Sequence, residues 1–265
     1  MTFPLLRRPF PKDFNRRLSP LLEVLTHNFS RIQFPTSTMK IIKVFYYDIK
    51  FWRAEVLRCG LFLQNIPFED VRDRAILGEM KSKAPMGAFP ILEVDGQILS
   101  QTPALAAFVG KLGATFDFEA AGVAADPAYP TMYPSNDDIF LQAKCDEIIN
   151  ACGDITATVG KSFGLQGEEQ KAKRLELIDP DGGRLYKHCK GLDSLLCTGA
   201  KGVACGKSMT VADLCVWRLT SWLSGGILDH IPQDFISSNF SNIQAVYDAC
   251  ESNEKIGKYM EQYHK

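Results

Sequence analysis

The chain has 265 residues, with 30 lysines and arginines against 31 aspartates and glutamates and a formal net charge of -1. This balance gives no electrostatic reason to expect nucleic acid or an anionic membrane as a partner, and no apolar run approaches the roughly 20 residues a spanning helix needs. With 46% hydrophobic residues the chain reads as globular, long enough for one large or two small cores.

Residues 1–38 form an atypical start. Arg7, Arg8, Arg16, Arg17 and Arg31 dominate them, and Asp13 and Glu23 are their only acids. That composition suits a transit peptide for a mitochondrion or plastid, whereas the absence of an apolar core after the first basic residues argues against a secretory signal. The alternative is a start at Met39, whose Met-Lys-Ile-Ile-Lys-Val opening would leave the protein in the cytoplasm. Both readings stay open.

From Ile41 the elements follow one another closely. Ile41 to Tyr47 is β-branched and aromatic and predicts a first strand, ended by Asp48. Arg53 to Gln64 carries Val56, Leu57, Gly60, Leu61 and Leu63 at helical spacing. Phe68 to Arg72 predicts a second strand, and Leu77 to Lys83 a short helical region. Ile91 to Val94 and Gln97 to Leu99 are apolar runs joined by Asp95-Gly96, a dipeptide that tolerates the positive φ angles of a type I′ hairpin. Thr102 is expected to cap a helix beginning at Pro103 and running to Leu112. The order βαβ-α-ββα predicts a thioredoxin-like layer over 39–113, without a CxxC motif.

Residues 114–136, broken by Pro127, Pro130 and Pro134, predict a linker, and 137–265 an all-α domain. Its helices are expected from Asp137 onward and near 167–178, 182–198 and 210–224. Thr210-Val-Ala-Asp213 reads as a capping box at the start of the last of these. The preceding Gly202-Val-Ala-Cys-Gly206-Lys207-Ser208 has three residues between its glycines where a phosphate loop needs four, so nucleotide binding is not expected.

The eight cysteines (Cys59, Cys145, Cys152, Cys189, Cys197, Cys205, Cys215 and Cys250) form no CxxC pair and no metal spacing with histidine. They read as buried thiols in a reducing compartment, with no metal expected. Cys145 and Cys152 share a helix face about two turns apart and cannot bridge. His27, His188, His230 and His264 are isolated and read as surface or satisfied core residues. Tyr247, Tyr259 and Tyr263 read as core or dimer packing, with a role in lining a substrate pocket as the lesser alternative.

The chemistry concentrates around the hairpin. Phe89 precedes Pro90 and is forced into an extended conformation, with a cis bond accessible to it. Its bare amide and carbonyl can pair with a peptide-like ligand as an added strand, and the helix start at Gln101-Thr102 offers amides and a positive dipole end to a carboxylate. The other reading is a hairpin and a capped helix without a ligand.

The segment Phe89-Pro90-Ile-Leu-Glu-Val-Asp-Gly-Gln-Ile-Leu-Ser-Gln101-Thr102 resembles the glutathione-binding segment of cytosolic glutathione transferases. Arg53-Ala-Glu-Val-Leu-Arg58 and Phe68-Glu-Asp-Val-Arg72 are similar to the sigma class, whose members include glutathione-dependent prostaglandin D synthases. The resemblance runs from about Lys40 to the end of the chain. It implies glutathione as co-substrate, a hydrophobic electrophile as second substrate, and a homodimer acting in detoxification by conjugation. It also implies that Phe89 pairs with the cysteinyl unit beside Pro90, that Gln101 and Thr102 hold the γ-glutamyl end, and that Lys81 pairs with the glycyl carboxylate. Arg53 and Leu77 match further glutathione-contacting positions, Leu77 standing where the family usually has tryptophan. Asp154 matches an acidic residue that reaches the γ-glutamyl amine of the partner subunit.

The resemblance places a catalytic tyrosine at the end of the first strand. Tyr46 and Tyr47 are the only hydroxyl residues between Ile41 and Arg53. Counting forward along the strand selects Tyr46, and counting back from Arg53 selects Tyr47. Adjacent strand residues face opposite sides, so only one of them should reach the thiol. Glutathione-dependent isomerisation of a prostaglandin-like lipid is the competing enzyme reading. A non-catalytic carrier or structural role is the second class, favoured by Lys50-Phe-Trp-Arg53 in place of a glycine-containing turn and by Ala88 in place of lysine or glutamine.

Overall fold

Strand β1 (Ile42–Phe45) lies at the centre of a four-stranded sheet in the order β2-β1-β3-β4, with β2 spanning Glu69–Val71, β3 Ile91–Val94 and β4 Gln97–Ser100. This is seen in a computed structural model that describes residues 41–196 and 202–264. The expectations for residues 1–38, a start at Met39, His27 and Cys197 lie outside the described residues.

β1 pairs parallel with β2 and antiparallel with β3, and β3 pairs antiparallel with β4. The parallel pair requires a crossover, supplied by helix α1 (Trp52–Leu63). The β3–β4 connection is the expected two-residue hairpin: Val94 pairs with Gln97, and Asp95 and Gly96 have φ of 47° and 79°.

Strand alternation divides the apolar residues between the two faces of the sheet. Ile42, Val44, Leu92 and Val94 face the main core with α1 and α3 (Thr102–Leu112). Phe45, Val71 and Ile91 face a smaller core completed by Leu77 and Met80 of α2 (Arg74–Lys83), whose first amides are capped by Asp73. The layer therefore has the thioredoxin-like order βαβ-α-ββα.

β1 is shorter than the run Ile41 to Tyr47. It ends at Phe45; the Tyr46 amide still donates to Val71 O of β2 at 3.3 Å, and Tyr47 lies beyond the ladder. Helix α3 begins one residue earlier than expected, with Gln101 at the N-cap position and Pro103 inside the first turn. Thr102 is thus the first helical residue, and neither it nor Gln101 caps the helix with its side chain.

The remaining described helices are α4 (Ile139–Gly160), α5 (Gly167–Ile178), α6 (Arg184–Leu196), α7 (Val211–Ser224), α8 (Ser241–Glu251) and α9 (Glu254–Tyr263). In α7 nearly every side chain is buried, as expected of a helix enclosed on all sides. Its start is fixed by the capping box: Thr210 accepts from the amide of Ala212, and buried Asp213 accepts from the amides of Ala204 at 2.6 Å and Thr210 at 2.7 Å. The α3–α7 junction is equally close. The Met132 amide donates to Gly110 O at 2.8 Å and the Val211 amide to Met132 O at 2.9 Å, while a Cβ on Gly110 would sit 2.9 Å from the Met132 carbonyl.

Helices α8 and α9 carry the tyrosine set. Tyr259 is fully buried and stacks on Tyr263 at 5.1 Å, and Tyr263 stacks on Phe68 at 5.6 Å, so these rings serve packing. The seven described cysteines are buried free thiols.

Candidate functional site

Two cavities of about 210 and 380 Å³ share Arg53, Ala88 and Phe89, and so abut as one groove between the sheet layer and α4. The smaller is walled by Pro90, Gln101, Thr102 and Gly153. The larger is walled by Tyr46, Tyr47, Phe51, Lys81, Thr156 and Phe163. Arg53 and Lys81 are the charged residues lining the pair, and no lining residue is acidic. The groove suits an anion.

Local structure explains how each wall arises. The Phe89-Pro90 bond is cis, and Phe89 stands just before β3. Among the described residues no hydrogen bond reaches the Phe89 amide or carbonyl, so a peptide-like ligand can pair with it. Gln101 has φ of 76°, uncommon for a residue with a side chain. That turn brings it to the N-terminus of α3, where free amides and the positive dipole end favour a carboxylate.

Arg53 is the second residue of α1. Its Nε is buried and has no hydrogen-bond partner among the described residues. A buried donor without a partner costs roughly 1–3 kcal/mol, a cost that an anionic ligand in the shared wall would remove. Trp52 beside it donates from Nε1 to Thr156 Oγ1 at 2.8 Å and ties α1 to α4.

Tyr46 and Tyr47 are both among the residues that line the larger cavity. The two are nonetheless unlike. Tyr46 is buried, with 6% exposure, whereas Tyr47 is 43% exposed and sets its ring edge against Phe89 at 5.3 Å. Burial pushes the Tyr46 phenol up to about 12, against the opposing charges of Arg53 and Arg58, so it stays protonated and can donate.

Tyr46, Tyr47, Arg53, Lys81, Phe89, Pro90, Gln101 and Thr102 therefore come together. Leu77 does not. It is 1% exposed and packs with Phe45, Val71 and Ile91 beneath the sheet, where its apolar side chain is better buried than turned to a polar ligand. Asp154 lies exposed on α4 outside both cavities, although its neighbour Gly153 lines the smaller one. Phe51, Trp52, Gly153, Thr156 and Phe163 also line the groove and are not among the site residues expected from the sequence. Thr156 and Phe163 had no local signal, since Thr156 reaches the groove through the contact of α4 with Trp52, and Phe163, just past α4, sets its ring edge against Trp222 of α7.

The structure thus presents a groove lined by Arg53 and Lys81 between a thioredoxin-like layer and an all-α layer. Residues 154–263 match the family model for the glutathione S-transferase C-terminal domain. Glutathione S-transferase 1 of Ascaris suum is 29% identical over 185 residues, covering 69% of this chain and 80% of its own. The hematopoietic prostaglandin D synthase of Homo sapiens is 40% identical over 70 residues, 26% of this chain and 35% of its own. The solved structure of the glutathione S-transferase from Ascaris lumbricoides shares the fold with a TM-score of 0.59 at 23% identity, covering 84% of this chain and 98% of that one. The chain is thus similar to glutathione S-transferases over most of its length, and its residues 154–263 match the C-terminal domain of that family.

Proposed function

We propose that the chain is a sigma-like glutathione transferase that binds glutathione along the groove and activates its thiol for attack on an electrophilic carbon. The observation that carries this reading is the unpartnered, buried Arg53 Nε in the wall between the Phe89-Pro90 segment and the tyrosines. The γ-glutamyl carboxylate would meet the α3 amides at Gln101 and Thr102. The cysteinyl unit would pair with the Phe89 backbone, and Lys81 and Arg53 would balance the ligand's negative charge.

Tyr46 is the thiol-activating residue in this reading. A free thiol with a pKa near about 8.5 is only a few per cent thiolate at neutral pH. Lowering it by about two units requires about 2.7 kcal/mol of preference for the anion, the size of one charge-assisted hydrogen bond. A buried phenol that remains protonated supplies that bond, and the resulting thiolate attacks an electrophile held against Phe51 and Phe163.

Retention on immobilised glutathione followed by a conjugation assay tests the reading: retention and turnover are expected. Failure to bind glutathione would overturn it, and binding without turnover would favour a carrier. The 40% identity to the prostaglandin D synthase segment favours, as a second reading, isomerisation of a prostaglandin-like lipid by the same thiolate. Activity on such a lipid without conjugation would select it.

A homodimer acting in detoxification in the cytoplasm completes the proposal, with Asp154 reaching the γ-glutamyl amine of the partner subunit. Asp154→Asn is expected to stay dimeric in sedimentation and to bind glutathione about tenfold more weakly, the loss of one charge-assisted contact. Full affinity in a dimeric variant would remove Asp154 from the site.

A further inference from the structure

A buried charge network joins the end of α9 to the segment that carries the two tyrosines. Glu55 and Arg58, both fully buried on α1, form its centre. The Glu55 carboxylate accepts from Arg58 Nη1 at 2.9 Å, from the Tyr259 hydroxyl at 3.0 Å and from His264 Nε2 at 2.5 Å. Arg58 in turn donates from Nη2 to Tyr47 O at 3.3 Å and from Nε to Asp70 at 2.9 Å. Its guanidinium lies 5.9 Å from the centre of the Tyr46 ring.

The same segment is gripped at three further points, one of them Arg218 of α7, whose Nη2 donates to Lys50 O at 3.0 Å. Lys50 Nζ donates to His264 O at 3.2 Å, and Arg72 bonds both Asp48 at 2.5 Å and Tyr263 O at 3.4 Å. None of Glu55, Arg58, Tyr259 or His264 lines either cavity. The His264 side chain is nevertheless only 3% exposed. β1 ends at Phe45, so no sheet ladder holds residues 47–51, and these bonds from α1, α7, α9 and the residue after β2 take its place.

We infer that His264, acting through Glu55 and Arg58, is a positioning residue that fixes the Tyr46–Lys50 segment so that a phenol faces the bound sulfur. The inference rests on the glutathione reading of the groove. A contact near the chain's far end thereby sets the geometry of a residue at its first strand.

The test compares the parent protein with His264→Ala and His264→Gln, the latter keeping an N–H donor for Glu55. Amide hydrogen exchange without ligand should be about tenfold faster over residues 46–51 in His264→Ala and unchanged in α7. With glutathione bound, the ultraviolet titration of the thiolate should give a pKa about one unit higher, a tenfold loss of thiolate well below the pKa, with affinity within about twofold. His264→Gln should restore both. Unchanged exchange over residues 46–51, or an unchanged thiol pKa where exchange has risen, would overturn the inference. Should His264→Ala fail to fold, Tyr259→Phe, which removes one donor to Glu55 and keeps the ring, carries the same two expectations. If the parent binds no glutathione, the proposed function fails, and exchange decides the anchoring alone: faster exchange restored by His264→Gln supports it, and unchanged exchange overturns it.

Discussion

Arg53 enters the groove from the first turn of α1 with a buried Nε that no described residue satisfies, and its environment asks for an anion. Arg53→Lys should weaken glutathione binding by about tenfold or more, because a point charge does not replace a fixed planar fork. Calorimetric titration giving parental affinity would show that the guanidinium faces no ligand. Gln101→Ala or Thr102→Ala should cost a similar factor for at least one of the pair, with the melting temperature little changed, and parental affinity in both would remove the α3 start from the site. The backbone at Phe89-Pro90 and at Asp95-Gly96 was legible in the sequence, whereas the positive φ of Gln101 and the uncapped start of α3 were not. The tyrosine argument was only half legible. It assumed a pleated backbone through Tyr47, and the strand stops at Phe45. Leu77 was assigned by its register against a family tryptophan, and a leucine on the inner face of α2 has no reason to leave the core.

The elements of the thioredoxin-like layer could be read because each has a local cause: an α1 apolar stripe, an Asp-Gly turn, a proline in the first turn of α3. The α7 start could be read for the same reason, since Thr-x-x-Asp is a self-contained cap. Asp213 accepts from two buried amides and the Thr210 hydroxyl, so Asp213→Ala should strand those donors and destabilise the fold by about 3 kcal/mol or more. Denaturant unfolding that shows a loss under about 1 kcal/mol would mean that the donors find other partners. Helices α8 and α9 were not resolved from the sequence. Their inward residues, Ile243, Val246, Cys250, Ile256 and Tyr259, are few and interrupted by the Asn253 cap between the two helices, which left the tyrosines as the only visible signal.

Across the whole molecule, the Glu55 network links α1, β2 and α9, and it makes stability depend on acid pH. Burial alone would raise the Glu55 carboxyl, but the hydrogen bonds and charges of His264 and Arg58 hold it below its ordinary value of 4.5. The unfolded chain therefore binds this proton more readily, so the contribution is present above about pH 4.5 and is lost as pH falls through the folded value. Glu55→Gln should lower neutral-pH stability by about 1–3 kcal/mol, because Arg58 and His264 lose a charged partner while Arg58 keeps Asp70. It should also flatten the acid slope of the melting temperature, and an unaltered slope would show that other carboxylates set it. None of this network was legible, because His264 meets Glu55 only through the packing of α9 on α1. The central claim is that the groove holds glutathione with its sulfur against the Tyr46 phenol. Its most direct test is the ultraviolet titration of the bound thiolate in the parent, Tyr46→Phe and Tyr47→Phe. The parent should show a thiol pKa about two units below the free value near 8.5, and Tyr46→Phe should raise it by about one to two units with little change in affinity. A pKa unmoved by Tyr46→Phe would contradict the account.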